Sequence, residues 1–423
     1  MSKPLAVVSC PLDTYSGYGA RARDFVKALI ALDKYEVKTI SQRWGNTRFG
    51  YLEDHSESQL MSTVIPKVGV KPDLWIQCTV PNEFAAVGKY NIGLTAGMET
   101  TLVHQSWIEG CNRMNLVLTS SNHSKKVFIE TNYQVKDNNT NQVVKTIKLE
   151  KPVEVLREGA DLSKYFAKPS QEFDLSNIKE SFCYLFVGHW MQGEIGHDRK
   201  NVGYTIKSFL ETFKNKSNAP ALVLKTQQVG SSLLDQDRIL KRIDSIRRTV
   251  KGKLPNIYVV SGDLSDEQVN DLYNHTKIKA MVSFTKGEGF GRPLLEFSLT
   301  GKPIIASGWS GQLDFLDNQR SLLIGGQLEN VHKSAAVKDM ILEQSQWFKP
   351  EDAQVAKAWT VMFKKYKDFI VPAKQLKNNN IKEFSFERMV EELKSYVETY
   401  VPEFAVQLNL EIPKLDLPKL KKL

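Results

Sequence analysis

The feature that most constrains the fold is an alternation of short apolar runs with amphipathic segments, which occurs twice along the chain. The first series consists of "LAVVSC", "DLWIQCTV", "NIGLTAG" and "LVLTSS", and the amphipathic "ARARDFVKALIALD" follows its first member. The second series consists of "FCYLFVGHW", "PALVLKT", "NIYVVSGD", "KAMVSFT" and "PIIAS". Strands that alternate with helices predict parallel sheets covered by helices on both faces. The sequence therefore predicts an α/β protein with two such units.

A polar stretch, residues 167–180, separates the two series and suggests a domain boundary near residue 165. The length of 423 residues also suits two domains. We expect one Rossmann-like domain at residues 1–165 and a second at residues 166–380. Residues 381–423 then hold a C-terminal helix, "IKEFSFERMVEELKSYVETY", and a basic tail. Two such domains facing each other would form a cleft, where ligands bind at the carboxyl ends of the strands.

The charge and the cysteines set broad limits on function. A net charge of +9 suits a polyanionic partner, although a basic soluble protein without such a partner has the same balance. No apolar run approaches the ~20 residues of a membrane span, and the N-terminal run is too short for a signal peptide. The four cysteines are scattered, which favours reduced thiols over a zinc site. We therefore expect a cytoplasmic protein.

The strongest local motif is "KGEGFG", at residues 286–291, between the strand-like "AMVSFT" and the helix-like "RPLLEFSLTG". Its three glycines, Gly287, Gly289 and Gly291, would let the backbone approach a ligand closely. The free N–H groups of the following helix N-terminus would favour phosphate. The motif lacks the Gly-Lys-Ser/Thr of a Walker loop and lies far from the first strand, unlike the dinucleotide fingerprint. It therefore predicts a phosphate or pyrophosphate site of another kind.

Two glutamates flank this loop, Glu288 within it and Glu296 in the helix. Glu288 could accept hydrogen bonds from sugar hydroxyls, and Glu296 could reach a ribose diol. The alternative is a structural pair between Arg292 and Glu296, four residues apart on the helix. Isolated glutamates at this spacing favour the structural alternative, but the glycines and the strand–helix setting favour the binding role.

These residues carry a family resemblance. "EGFGRPLLEFSLTGKPIIAS" followed by "SGQLDFL" resembles the donor-site signature of family-4 retaining glycosyltransferases, which have the GT-B fold of two Rossmann-like domains. Four further segments resemble that family in the same order, over roughly residues 5–325: "TYSGYGARARDFVKAL", "VLREGADLSKYF", "DRKNVGYTIKSFLETF" and "ALVLKT". Glu158 replaces the usual asparagine. The resemblance implies transfer of a sugar with retention from a UDP- or GDP-sugar, without a protein nucleophile.

The resemblance also implies roles for particular residues. Catalytic roles fall on Glu288, Lys225 and Arg199, which would stabilise or position the donor's sugar and diphosphate. Donor-binding roles fall on Lys200, Gly289, Phe290, Gly291, Glu296, Gly17 and Gly19. Acceptor-side roles fall on Glu99 and His104.

Several of these residues have structural alternatives. Arg199 and Lys200 could lie on a solvated surface, Gly17 and Gly19 could form a tight turn, and His104 could be a core histidine. Ser121 is better explained as a helix N-cap. Where the family often has an arginine after a strand, this chain has His189, so a second cation at that position is in question.

No metal is expected at the site. Asp235-Gln236-Asp237 resembles a metal-binding pair, but it opens the helix-like "LLDQDRILKRIDSIRRTVK", where acids favour the N-terminus. Residues two apart on a helix also point to different faces. Lysine, arginine and backbone N–H groups would neutralise the diphosphate instead.

The acceptor is inferred from a second resemblance. "SCPLDTYSGYGARARDFVKAL" is similar to glycosyltransferases of T-even-like and marine phages, some of which glycosylate hydroxymethylated cytosine in DNA. With the positive net charge, this implies phage DNA modification, with DNA as acceptor. A surface glycan, a lipid, or a non-catalytic module that binds nucleotide-sugar or nucleic acid are the alternatives. The basic helix end at residues 241–253 is either a nucleic-acid track or an ordinary solvated face.

Overall fold

The structure, a computed structural model, describes residues 3–137, 139–170, 172–227 and 233–404. Its two large sheets each contain six parallel strands. The predicted α/β class with two parallel sheets is therefore confirmed. No helix within the described ranges is both long enough and apolar enough to cross a membrane.

The first sheet has the strand order β2-β1-β3-β4-β5-β8. The strands of the first half are β1 (Leu5–Cys10), β2 (Glu36–Ser41), β3 (Leu74–Cys78), β4 (Tyr90–Leu94), β5 (Leu116–Thr119), β6 (Asn132–Lys136), β7 (Val143–Lys148) and β8 (Val153–Val155). The helices are α1 (Gly17–Ala31), α2 (Tyr51–Asp54), α3 (Ser58–Met61), α4 (Gln105–Asn112) and α5 (Asn122–Glu130), with a 3-10 turn at Pro81–Glu83. The strands β6 and β7 form a separate antiparallel hairpin.

The second sheet has the order β11-β10-β9-β12-β13-β14. The strands of the second half are β9 (Cys183–Val187), β10 (Ala221–Lys225), β11 (Ile257–Val260), β12 (Ile278–Ser283), β13 (Ile304–Ser307), β14 (Leu322–Ile324), β15 (Gly326–Asn330) and β16 (Gln346–Pro350). The helices are α6 (Val202–Phe213), α7 (Leu233–Thr249), α8 (Asp266–Asn274), α9 (Arg292–Ser298), α10 (Asp352–Lys364), α11 (Ile370–Glu383) and α12 (Phe386–Tyr400). Three 3-10 turns, Gly311–Asp314, Lys333–Ala335 and Tyr366–Phe369, complete this half, and β15 pairs with β16 in an antiparallel hairpin.

The central strands are buried on both faces. All residues of β3, β5 and β13 are buried, and hydrophobic clusters lie on both sides of each sheet. Helices that cover both faces of a parallel sheet remove any solvent-facing positions, so these strands are continuous apolar runs rather than alternating ones. This is why the apolar runs marked the strands so clearly in the sequence.

The C-terminal segment differs from the prediction. The sequence suggested one long helix at residues 381–400, but the structure has α11 and α12 with a break at Phe384 and Ser385. The Ser385 hydroxyl accepts a hydrogen bond from the Arg388 N–H and so starts a new helix. The apolar face of α12 packs into the core of the first sheet through Met389, Leu393 and Val397. The chain thus returns from the second half to the first.

The two places where the chain passes between the halves are bonded to each other. The Ala160 N–H donates to the Phe384 carbonyl at 2.8 Å, and the Phe386 N–H donates to the Ala160 carbonyl at 2.9 Å. Gly159 lies so close that a Cβ atom there would be 2.6 Å from the Ser385 carbonyl oxygen and 2.7 Å from the Phe386 Cα. The glycine is therefore required by the contact between the two crossing segments.

We predict that Gly159→Ala lowers the free energy of unfolding by about 1–3 kcal/mol, because the added methyl must push two backbone segments apart. Thermal unfolding followed by circular dichroism measures the effect. Gly69→Ala is the control, since a Cβ at Gly69 meets no atom within 4 Å. Equal melting temperatures for the two variants would contradict the packing explanation.

Candidate functional site

The candidate site lies where the carboxyl edges of the two sheets meet. The loop after β12 touches the backbone after β4 and β5: the Ser120 hydroxyl reaches the Gly289 carbonyl at 3.0 Å and the Ala96 carbonyl at 2.7 Å. A Cβ on Gly287 would lie 1.9 Å from the Glu99 carbonyl oxygen, and one on Gly289 would lie 2.1 Å from the Ala96 carbonyl oxygen. The absence of a Cβ at both positions thus admits the backbone of the first half, while the donor contact expected of Gly289 stays a prediction.

The remaining loop positions have different surroundings. Gly291 adopts a φ of 101° as the N-cap of α9, a conformation that favours glycine. The Phe290 side chain is buried in the core of the second half, against Phe315 and Phe384. Any contact between Phe290 and a donor would therefore involve its backbone.

Four predicted site residues meet in one ion-pair network. The Lys200 Nζ lies 2.6 and 2.7 Å from the two carboxylate oxygens of Glu288. The Arg199 guanidinium lies 3.4 Å from Glu288 and 3.4 Å from Glu99, and it donates to the Gly287 carbonyl at 2.9 Å. Glu99 belongs to the first half of the chain, so the network spans the cleft. The alternative of a solvated surface role for Arg199 and Lys200 is not what the structure shows, because their side chains are 13% and 16% exposed.

The charged groups of this network shift one another's pKa values. Burial alone would raise the pKa of Glu288, but the charges of Lys200 and Arg199 outweigh it and hold the pKa below its usual value. Burial lowers the pKa of Lys200, and Glu288 opposes that shift. Lys200 thus depends on the Glu288 carboxylate for compensation, and Arg199 depends on Glu99 and Glu288 together.

Lys225 lies nearby at the end of β10. Its Nζ donates to the Gly262 carbonyl at 2.8 Å, and burial lowers its pKa, with the charge of Asp263 opposing. Lys225 and His189 line one cavity of about 190 Å³ together with Pro293 of α9. The cavity therefore opens between the first turn of α9 and the ends of β9 and β10.

Glu296 lies in a different place from Lys225. Its carboxylate accepts a hydrogen bond from the Arg292 Nε at 2.7 Å, so the pair four residues apart is formed. Arg292 also pairs with Asp24 and lies 3.6 Å from Glu158, both in the first half. Burial raises the pKa of Glu296 to about 7, opposed by Arg292. Glu296 faces an interdomain cavity of about 220 Å³ that Lys225 does not line.

The glycines at the start of α1 have local explanations. The Gly19 N–H donates to the Ser16 hydroxyl at 2.9 Å, which caps the helix, and a Cβ on Gly19 would lie 2.3 Å from the Thr14 carbonyl oxygen. Gly17 has open space around it. A tight turn thus accounts for Gly19, while Gly17 leaves room for a ligand.

His104 and Ser121 both cap helices. His104 Nδ1 accepts from the Ser106 N–H at the start of α4, and its Nε2 lies 3.4 Å from Asp339 across the cleft. It is therefore not a core histidine, and it joins no ion pair with Arg199. The Ser121 hydroxyl caps α5 as expected.

The acids of the Asp-Gln-Asp segment lie in the first turns of α7, and Asp235 is 3.8 Å from Arg238. In the parts of the chain that the structure describes, no three His, Cys, Asp or Glu side chains are grouped to hold a metal ion. The four cysteines are buried free thiols.

The basic end of α7 lies away from the cleft. A helix that follows a parallel strand runs back toward the amino edge of the sheet. Accordingly, Arg247 donates to the Pro255 carbonyl, just before β11 begins, and the 80% exposed Arg248 pairs with Asp244. This placement favours a solvated helix face over a nucleic-acid track that leads to the site.

Sequence reasoning missed three residues that hold the site together. Ser120 bridges the two domains, Asp24 holds Arg292, and the Ser310 hydroxyl accepts from the Glu288 N–H at 2.9 Å. Ser120 directly follows β5, so its place at the carboxyl edge of a strand was a usable signal. Nothing in the sequence pairs Asp24 or Ser310 with its distant partner.

We predict that Glu288→Gln destabilises the protein at pH 7 by about 3 kcal/mol, because it leaves the buried Lys200 without its carboxylate and Arg199 with Glu99 alone. Glu288 has a depressed pKa in the folded protein, so its stabilising effect is present above its ordinary pKa of 4.5 and is lost as the pH falls through the lower, folded value. Melting temperatures of wild type and variant should therefore converge in acid.

The control is Glu391→Gln, which removes an exposed partner of Arg388 and should cost less than about 1 kcal/mol at either pH. A Glu288→Gln variant as stable as this control at pH 7 would contradict the proposed compensation.

Comparisons with known proteins bear on the fold. No protein-family model and no curated protein matches this sequence. Among solved structures, HepE of Anabaena in complex with UDP-glucose is similar at 12% identity and a TM-score of 0.62, over 93% of this chain and 99% of that one. Sucrose-phosphate synthase of Thermosynechococcus elongatus is similar at 12% identity and a TM-score of 0.60, over 94% and 98%.

A glycosyltransferase from Rickettsia africae is similar at 13% identity and a TM-score of 0.57, over 94% of this chain and 99% of that one. Similarity at this level of identity establishes the fold and not the family. The arrangement of two Rossmann-like domains, each with a six-stranded parallel sheet, is that of the GT-B fold.

Proposed function

We propose that the protein is a glycosyltransferase that uses a nucleotide-sugar donor. The observation that carries this proposal is the group of cations at the carboxyl edge of the second sheet, with Arg199, Lys200 and Lys225 around the loop that precedes α9. The similar HepE structures contain UDP or UDP-glucose, which supports a donor of this type here. The resemblance of the glycine loop to the family-4 donor signature supports it independently.

The chemistry of the reaction explains why cations are needed at this position. When the bond between sugar and diphosphate breaks, negative charge develops on the leaving phosphate oxygen, and fixed cations in a partly buried site stabilise it. Glu288 forms ion pairs with Lys200 and Arg199. We infer that the diphosphate takes over these cations and leaves Glu288 to accept hydrogen bonds from the sugar.

For the stereochemistry we propose retention, with the donor's own phosphate oxygen accepting the proton of the incoming hydroxyl. The donor is a UDP- or GDP-sugar, Glu296 contacts its ribose, and no metal is required. Gly17 stands beside open space at the start of α1 and would face the transferred sugar. Glu99 would act on the acceptor side, where it already meets Arg199.

The test is release of nucleotide from a panel of UDP- and GDP-sugars, with and without EDTA. Turnover of one donor in EDTA supports the proposal, and the anomeric configuration of the product decides retention. If a nucleotide-sugar binds but is neither hydrolysed nor transferred to any acceptor, a non-catalytic binding module would be favoured.

We predict that Lys225→Ala and Glu296→Gln impair donor use in different ways. Loss of Lys225 should lower kcat by a factor on the order of 10²–10³, because the cation acts on charge that develops in the transition state. Loss of Glu296 should mainly raise the donor KM, because it contacts the ribose in ground and transition states alike. Lys251→Ala is the control, since Lys251 is exposed just after α7. Equal kinetics for Lys225→Ala and this control would contradict the donor-site assignment.

As acceptor we propose DNA, with hydroxymethylated cytosine as the target. The net charge of +9 supports it. The cleft rim also offers contacts: the loop at residues 42–50, after β2, exposes Arg43 and Phe49, and its Arg48 pairs with Asp263 across the cleft at 3.2 Å. An exposed aromatic ring beside a guanidinium suits a base and a phosphate. A surface glycan or a lipid is the alternative acceptor.

We predict that duplex DNA binding weakens steeply with salt, with a slope in log K against log[salt] of about −0.9 for each neutralised phosphate. Arg43→Gln should reduce this slope by about one phosphate, whereas Arg247→Gln should leave it unchanged because that side chain lies at the far edge of the sheet. Filter binding over a salt series measures both. Undetectable binding, with no transfer to hydroxymethylcytosine-containing DNA, would favour the glycan or lipid acceptor.

A further inference from the structure

His189 lies among the cations of the proposed donor site, and no role has been assigned to it above. It follows β9 by two residues, so it lies at the carboxyl edge of the second sheet. It lines the cavity of about 190 Å³ that Lys225 also lines, and its side chain is only half-buried. Among the described residues, none forms a hydrogen bond with its ring. The imidazole is therefore not engaged by the described residues that surround the cavity.

The ionisable groups around His189 come from each neighbouring segment. Three are cations and one is an acid: Arg199 and Lys200 before α6, Lys225 at the end of β10, and Asp263 after β11. Tyr273 of α8 lines the same cavity. Glu288 adds a further carboxylate, which is paired with Lys200. Burial and the three cations lower the pKa of His189 to about 4, so the imidazole is neutral at pH 7 in the free protein.

A bound diphosphate would reverse this balance. It brings two negative charges to the cations that now repel a proton on His189. The phosphate oxygens would also accept a hydrogen bond from the imidazole, and hydrogen bonding of this kind favours the protonated ring. An imidazole in such a position can thus change its charge with the occupancy of the site.

We propose that His189 binds the donor diphosphate in its protonated form, so that in mildly acid solution a proton is taken up from solvent at this imidazole when a nucleotide-sugar binds. The proposal rests on the proposed function, since it requires a nucleoside diphosphate in this cavity. It adds a fourth cation that is present only in the complex. Before the donor binds, the site therefore carries the charges of Arg199, Lys200 and Lys225 but not a charge on His189.

The pH dependence follows from the sign of the change. A group whose pKa is higher in the complex than in the free protein strengthens binding at low pH, and this gain is lost as the pH rises through the pKa of the complex. If the pKa of His189 returns to its ordinary 6.5 in the complex, affinity should be about ten-fold higher at pH 5.5 than at pH 8.

The experiment is isothermal titration calorimetry of the full chain with UDP-glucose and with GDP-mannose, in buffers of different ionisation enthalpy at pH 5.5, 6.5 and 8. Nucleotide-sugars are chosen because their phosphates do not titrate in this range, unlike the terminal phosphate of UDP. His189→Asn keeps a hydrogen-bonding side chain that cannot be protonated. His197→Asn is the matched control, because His197 stacks on His332 and lines another cavity. Histidine-selective NMR then follows the ring of His189 directly among the seven histidines.

We expect wild type and His197→Asn to take up protons on binding and to bind more tightly at pH 5.5, and His189→Asn to do neither. The His189 resonance should titrate at a higher pH in the complex than in the free protein. Binding with the same proton uptake in wild type and His189→Asn would overturn this inference and leave the proposed function intact. Failure of every nucleotide-sugar to bind would overturn both.

Discussion

The site depends on the compensation of buried cations by carboxylates. Arg199 and Lys200 are largely shielded from water, and moving a charge out of water costs several kcal/mol unless a partner compensates it. Glu288 supplies that partner at 2.6 Å from Lys200, and Glu99 adds a second carboxylate from the other domain. Breaking such a pair would be costly, so an anion that enters must itself bring charge.

The same network explains the close contact between the domains. Glu99 reaches Arg199 only because the backbone after β4 lies against the loop after β12, and this contact leaves no room for side chains on Gly287 or Gly289. On the other side of the cleft, Arg292 is held by Asp24 and Glu158 of the first half. The paired crossings at Ala160 and Ser385 fasten the domains at a third place. Charge and backbone packing therefore act together to set the relative position of the domains.

The basic side chains of the second half form two groups, which lie at opposite edges of its sheet. Arg199, Lys200 and Lys225 lie at the carboxyl edges of strands, where the loops of both sheets converge. Arg247 and Arg248 lie at the amino edge, where a helix ends after crossing the sheet. The net charge does not distinguish these groups, but a parallel sheet assigns them to opposite edges.

Part of this architecture is determined by sequence alone. The apolar runs identify the strands of both sheets because those strands are buried on both faces, and the glycine loop with Pro293 identifies the start of α9. Local signals do not show which loop packs against which, since that depends on contacts between residues far apart in sequence. Only the tertiary structure revealed that Gly287 faces Glu99, that Asp24 and Glu158 hold Arg292, and that His189 stands among three cations. The tertiary structure also shows that the predicted final helix is two helices that meet at Ser385. The break allows α12 to pack on the core of the first sheet.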